Sequence, residues 1–245
     1  MIISFSNNFL LVKPRKTAGT SVELALSPFL QAGDVATPIE PDEEPDRQVK
    51  DGVFVGRPKR RGIRLRDHSP LWRAKAVYGK QLDGLHIITI ARNPWDRAVS
   101  QFFWSMRKTD IRKQPKDVQR AAFAKYTRRY GPRTALDYVY GRKRQRALSS
   151  HHLYSRAGVN QSDFVIFFER LQDDLDLLAK GLNLSGSPRL ANAKSSIRPN
   201  AARSWQEYYD QDLADFVAHH CAAEIRDFGY DFLGEATPVY KNSIW

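Results

Sequence analysis

Cysteine is nearly missing from this chain. Cys221 is the sole example in 245 residues, so no internal disulfide can form and a disulfide-stapled secreted domain is excluded. No run of 18 apolar residues occurs, which excludes an ordinary spanning helix. The N-terminal stretch Met1-Ile-Ile-Ser-Phe-Ser-Asn-Asn-Phe-Leu-Leu-Val12 has no basic segment and no small-residue cleavage site. It reads as the start of a fold rather than a signal peptide, and with the lone cysteine it predicts a cytoplasmic protein. Internal repeats, a convincing linker, a recognised nucleic-acid module and a metal-ligand cluster of suitable spacing are all missing. What is present is an ordinary globular balance: 42% hydrophobic, 27% charged and 11% aromatic residues. That balance excludes wholesale disorder, collagen and a coiled coil.

Charge is the compositional departure. Lys and Arg number 39 against 27 Asp and Glu, a formal net charge of +12. Such an excess suits a polyanionic partner: nucleic acid, a phosphate-bearing cofactor, an anionic glycan or a lipid head group. A well-solvated basic surface is the bland alternative.

Hydrophobic patterning predicts an α/β protein. Phe9–Val12 is a short buried strand, and Val22, Leu24, Ala25, Leu26, Phe29 and Leu30 fit a helix after it. Leu85–Ala91 is the clearest strand, its continuous apolar character suiting a parallel strand covered on both faces. Asn93-Pro94 then starts a helix that runs to about Arg107, Asn as N-cap and Pro at the first helical position. Pro70 opens a helix to Tyr78. Residues 107–146 read as helical and strongly basic. Phe164–Phe168 is a strand and Leu171–Leu182 a helix. A last amphipathic helix carries Leu213, Phe216, Val217, Cys221 and Ile225 and ends at Gly229. Residues 34–51, acidic and proline-containing, read as an exposed excursion; with the basic stretch 57–66 they make a charged excursion at about 34–66. The expectation is a single domain over 1–245, with a central, mainly parallel sheet flanked by helices.

Two segments carry chemistry. Lys13-Pro-Arg-Lys-Thr-Ala-Gly-Thr-Ser21 joins the first strand to the first helix. A helix N-terminus there offers unpaired N–H groups and partial positive charge to an anion. Gly19 permits close backbone approach, Thr17, Thr20 and Ser21 add hydroxyls, and Lys16 adds a mobile cation. The loop is not a Walker P-loop, because its lysine precedes its single glycine. The second segment, Arg92-Asn-Pro-Trp-Asp-Arg-Ala-Val-Ser100, follows the strand at 85–91. A guanidinium at a strand's carboxyl end can hold a phosphate bidentately, and Ser100 lies one to two turns into the next helix.

Together, K-T-A-G-T-S after a first strand and R-N-P-x-x-R-x-x-S after a middle strand resemble the sulfotransferases that use PAPS, 3′-phosphoadenosine 5′-phosphosulfate. The carbohydrate (Golgi-type and bacterial) branch is the most similar. Phe164-Val-Ile-Phe-Phe-Glu-Arg-Leu171 and Phe228-Gly-Tyr230 extend the resemblance along the chain. The resemblance implies a fold related to P-loop nucleotide kinases. It implies that Lys16, Thr17, Ala18, Gly19, Thr20 and Ser21 hold the 5′-phosphosulfate, with Arg15 also among the cofactor-binding residues. Arg92 and Ser100 then hold the 3′-phosphate, and Lys194, Ser195 and Arg198 of the late loop complete the nucleotide pocket. One departure bears on the local loop path. The family places Pro directly before the motif lysine, whereas here Arg15 separates Pro14 from Lys16.

Sulfuryl transfer resembles phosphoryl transfer, so catalysis is mostly positioning and electrostatics, with no metal required. Lys16 is the candidate for stabilising charge on the departing phosphate oxygen. The acceptor hydroxyl needs a base, and a neutral imidazole suits proton removal near pH 7. Relatives place a histidine between the two motifs, before a helix, and His68 stands there. Glu169 is the second candidate base. Its alternative role is to bond the phosphate loop. His86, His219 and His220 read as structural, and His151 with His152 as either an acceptor cleft or a polar helix face.

The acceptor bears a hydroxyl and belongs to a glycan, a glycolipid or a small metabolite. The basic segments 57–66 and 107–146 suit an anionic one. Trp72, Trp95, Phe102, Phe103 and Trp104 could stack on a sugar, though most suit the core. Two rival classes stay open. One is a P-loop-like kinase binding ATP with magnesium. The other is a nucleic-acid-binding protein with salt-sensitive affinity, disfavoured by the missing module.

Overall fold

The computed structural model describes residues 1–129, 148–190 and 204–234. It is an α/β structure, and the described chain divides into two compact units: residues 1–91 with 152–190, and residues 92–129 and 148–151 with 204–234.

The first unit holds a six-stranded sheet. Its strands are β1 (Ile2–Ser4), β2 (Phe9–Val12), β3 (Val35–Ala36), β4 (Phe54–Val55), β7 (His86–Ala91) and β10 (Phe164–Phe167). Between them lie a small hairpin, β5 (Lys59–Arg60) with β6 (Ile63–Arg64), and another, β8 (Ser155–Arg156) with β9 (Val159–Asn160). Spatial order in the main sheet is β10-β7-β2-β1-β3-β4. β2, β7 and β10 run parallel, in register Val12↔Thr89 and Thr89↔Val165. β1 is antiparallel to both of its neighbours. The sheet is therefore mixed rather than mainly parallel, because Ile2–Ser4 forms a tight antiparallel hairpin with the predicted strand at Phe9–Val12.

Strand alternation builds the core. Ile2, Phe9, Leu11, Ala36, Ile88, Ile90, Phe164 and Ile166 share one buried cluster with Val22, Ala25 and Leu26 of α1 (Gly19–Leu26). Leu175 and Leu178, from the helix Leu171–Gly181, complete it. Of the intervening residues, Leu10, Val12, Val165 and Phe167 are buried as well, as parallel strands require, and so is Ile3 on β1.

Residues 34–51 differ from the expected exposed excursion. Val35–Ala36 is a sheet strand, and Asp34, Thr37, Ile39, Glu43 and Arg47 are buried. Asp34 earns its burial through hydrogen bonds: its carboxylate accepts from Ser4 Oγ (2.8 Å), Ser6 Oγ (2.6 Å), the Ser6 amide (3.0 Å) and the Gln31 amide (2.9 Å). Acidic composition concealed a carboxylate that ties down the β1–β2 turn.

The second unit is helical. α2 (Leu71–Tyr78) belongs to the first unit; α3 (Pro94–Ser105) and α4 (Lys116–Thr127) belong to the second. The Asn93 side chain accepts from the amides of Trp95 (3.1 Å) and Asp96 (3.4 Å), the cap that Asn-Pro predicts. Trp95, Trp205, Tyr209 and Phe232 form an aromatic cluster. The predicted last helix is two, Gln211–His220 and Ala222–Phe228, broken where Cys221 leaves helical geometry at φ −111° and ψ 15°. Gly229 caps the second at φ 70°. Most of the basic stretch 107–146 beyond α4 lies outside the described residues.

A buried ion pair holds the second unit together. Arg97 donates to both carboxylate oxygens of Glu224 at 2.7 Å, to Ser150 Oγ at 2.6 Å and to the Leu148 carbonyl at 2.8 Å. Removing one partner of such a pair strands a charge inside the protein. Glu224→Ala should therefore cost roughly 3–5 kcal/mol in urea unfolding, and a loss below about 1 kcal/mol would mean that Arg97 finds water instead.

Candidate functional site

The site begins where β2 ends. Val12 is followed by a loop whose backbone is unusual: Lys16 lies at φ 62° and Ala18 at φ 61°, both left-handed, on either side of Thr17. Left-handed residues alternating in a turn aim successive amides into one concavity, a common anion cradle. No side chain caps α1, whose N-cap is Ala18, so the first amides of that helix keep the same outward role. The Thr17 hydroxyl is committed inward, donating to the Pro14 carbonyl at 3.0 Å. Arg15 is exposed, Lys16, Ala18 and Thr20 are half-buried, and Gly19 and Ser21 are buried.

Gly19 has a specific cause. A Cβ there would lie 2.1 Å from Lys13 Cγ and 2.5 Å from Cδ. The close approach comes from the protein's own lysine, which runs beneath the helix start. Lys13 is fully buried, and its ammonium pairs with both Glu23 and Asp67. Glu23, also fully buried, is approached further by the Met1 amino group (3.1 Å) and by Arg47 (3.5 Å). Burial opposes ionisation of all three, yet their opposite charges prevail: the Lys13 pKa is raised, and the Glu23 and Asp67 carboxyls sit below the usual range.

His68 joins this network. Its Nδ1 lies 2.8 Å from the Lys13 carbonyl. A carbonyl can only accept, so Nδ1 carries the proton and Nε2 keeps its lone pair in the neutral ring. Nε2 lies 3.2 Å from Asp67 Oδ2. Burial pushes the ring pKa down to about 4; the Asp67 carboxylate opposes that shift, while Arg15 and Lys13 add to it. A quarter of the side chain still reaches solvent. The ring is thus neutral and oriented at pH 7, with Nε2 beside the Asp67 carboxylate.

The second segment starts directly after β7, and Ala91 ends that strand at the same sheet edge as Val12. Arg92 is buried and its guanidinium engages Asp96 at 2.7 Å through both Nε and Nη2. Ser100 is buried on α3. Arg97, part of the same motif, serves the Glu224 pair described above. Glu169 is exposed in a single 3-10 turn, Phe168–Arg170, just past β10. His151 is held by Asp227 at 3.0 Å. Trp95, Phe102 and Phe103 are buried, whereas Trp72 is exposed. Lys194, Ser195 and Arg198 lie outside the described residues. Among the described residues, no three His, Cys, Asp or Glu side chains are grouped to hold a metal ion.

Sequence reasoning passed over Lys13, Glu23, Asp67 and Arg47. A signal existed for two of them: Lys13 ends an apolar strand, and Glu23 interrupts the apolar run Val22–Leu26.

The depressed His68 pKa has a consequence for stability. The unfolded chain takes up a proton near pH 6.5 that the folded ring refuses until about pH 4. The stabilisation is complete above pH 6.5 and is lost as pH falls toward 4, at up to about 1.4 kcal/mol per pH unit. Urea unfolding across this window should be less steep in pH for His68→Gln; equal slopes would show that the ring titrates normally.

Compared with known proteins, the chain matches no protein-family model, no curated protein and no solved structure.

Proposed function

We propose that this chain is a PAPS-dependent O-sulfotransferase of the P-loop-kinase-related fold, transferring a sulfuryl group to an acceptor hydroxyl by in-line displacement. One observation carries the proposal. Two neighbouring parallel strands, β2 and β7, run out at one sheet edge. Each leads straight into one of the two motif segments, and parallel α/β sheets take their ligands at that edge.

The loop residues of the first unit suit one end of such a donor. The left-handed pair Lys16 and Ala18, with the uncapped start of α1, suits the 5′-phosphosulfate. Arg15 and the hydroxyls of Thr20 and Ser21 add donors there. Arg92 and Ser100 are assigned the 3′-phosphate, and Lys194, Ser195 and Arg198 the remainder of the nucleotide. Lys13 is committed to Glu23 and Asp67, so the loop charge on the donor is assigned to Lys16.

In the reaction, the acceptor oxygen bonds to sulfur as the bond from sulfur to the phosphate oxygen breaks. Lys16 stabilises the charge left on that phosphate oxygen. The acceptor proton passes to His68 Nε2, and 3′,5′-adenosine bisphosphate departs. His68 is preferred to Glu169 as base because its ring is oriented by the Lys13 carbonyl and neutral at pH 7.

The test is a thermal shift with 3′,5′-adenosine bisphosphate against ATP–magnesium. At a hundredfold excess over Kd, ligand binding adds about 2.7 kcal/mol, a rise of roughly 5–10 °C for a chain of this size. A shift with ATP–magnesium and none with the bisphosphate overturns the proposal in favour of a kinase. Lys16→Ala and Arg92→Ala should both abolish turnover of labelled PAPS, with the larger loss of bisphosphate affinity in Arg92→Ala. Unchanged affinity in Arg92→Ala would remove the 3′-phosphate assignment. His68→Ala should bind the bisphosphate normally and lose roughly 10²–10⁴ in rate; full activity would exclude it as the base.

A further inference from the structure

Residues 52–82, all in the first unit, carry nine cations and one carboxylate. The carboxylate, Asp67, is taken by Lys13. Arg57, Lys59, Arg60, Arg61, Arg64 and Arg66 are all exposed, and among the described residues none of the six forms an ion pair. The backbone that displays them is ordered by its own chemistry. β5 and β6 pair antiparallel through Arg61 (φ 48°) and Gly62 (φ 81°), the two left-handed residues of a tight hairpin turn. The hairpin is fastened at its base. The Leu65 amide donates to the Pro58 carbonyl at 2.8 Å, and Arg60 reaches the Val77 carbonyl of α2 at 3.4 Å.

The pairing itself is unfavourable. Lys59 stands directly opposite Arg64, and like charges facing each other across a strand pair destabilise it. A fold that tolerates this repulsion at an exposed site gains from any polyanion that relieves it. The adjoining α2 continues the pattern. Lys75 and the following Lys80 are exposed, and Trp72 is 46% exposed with the Arg73 guanidinium 5.2 Å from its ring centre. Phe54, on β4, is the other large exposed aromatic of residues 52–82, and Trp72 is the one on the hairpin and α2. Single-stranded nucleic acid is held on successive aromatic platforms. A lone indole set among cations suits the face of one sugar ring in a charged chain.

We propose that the β5–β6 hairpin and α2 form a docking face for an anionic polysaccharide. Resting on the sulfotransferase assignment, we infer that such a polymer is the acceptor. Arg66 is two residues from His68, so a chain lying along the hairpin presents its hydroxyls next to the candidate base.

The experiment measures binding of a fluorescent decagalacturonate to the full chain at 50 and 200 mM salt. Maltodecaose and a twenty-residue oligothymidylate serve as neutral and nucleic-acid comparisons. The decagalacturonate should bind, weaken with salt, and bind at least tenfold more weakly to R57Q/K59Q/R61N/R64Q, which spares the Arg60 anchor. K50Q/R156Q/K180Q/R189Q removes the same charge from exposed positions outside both basic segments and should stay within twofold of the natural chain. Equal losses in the two variants would reduce the effect to net charge and overturn the proposal, as would unchanged binding in the hairpin variant. Tighter, hairpin-dependent binding of the oligothymidylate would overturn it in favour of nucleic acid. The bisphosphate thermal shift, repeated on the hairpin variant, separates the two claims. A retained shift without hairpin-dependent polysaccharide binding removes the docking face alone. Hairpin-dependent binding in a chain that ignores the bisphosphate removes the acceptor role and keeps the docking face.

Discussion

Lys13 crosses beneath the first turn of α1 and ends between two carboxylates, and the candidate site is organised around that crossing. The strand that leads into the loop, the helix that leaves it and the segment bearing His68 are all fastened to this one residue, through Glu23 and Asp67 on its ammonium and His68 on its carbonyl. The side chain's path also dictates glycine at position 19. Burying an ammonium is costly unless opposite charges enclose it. Here two carboxylates do so, with Arg47 balancing Glu23 from the other side. Such a cluster specifies one arrangement of its elements, because any other leaves a charge unmatched.

The enclosure also sets the chemistry available at the surface. A lysine bound between two carboxylates is fixed in place, and Lys16 is the other lysine of the loop. An imidazole fixed at Nδ1 by a carbonyl offers Nε2 alone. Its low pKa comes chiefly from burial, with nearby cations adding to it, so the same packing that orders the loop keeps the ring neutral. The second unit follows the same logic with other residues. Arg97 meets Glu224 in a buried fork, while Asn93 caps the helix that carries both Arg97 and Ser100.

How much of this was legible varies with the physics of each element. The strands at Phe9–Val12, His86–Ala91 and Phe164–Phe167 announce themselves by apolar runs. The helices after Pro70 and Asn93 announce themselves by their first residues. Ile2–Ser4 and Val35–Ala36 are too short to show a period. Ile2–Ser4 pairs with Phe9–Leu11 on one side and with Val35–Ala36, more than 30 residues on, on the other, and this made the sheet mixed. The acidic stretch at 34–51 misled for a related reason: composition counts carboxylates but does not reveal that four donors converge on Asp34. The break at Cys221 is equally local, since nothing in the amphipathic pattern around it changes.

The order of amino acids was enough to place a polar loop and a helix start after each of two apolar strands, because apolar runs and capping residues act over a few neighbours. It was also enough to mark the basic stretch before His68. It could not say that Val12 and Ala91 finish at one edge, that Lys13 is sealed between Glu23 and Asp67, or that Lys59 faces Arg64. Those facts depend on which strands lie side by side and which side chains meet across long separations. Burial and Coulomb interactions settle them only once the chain has packed.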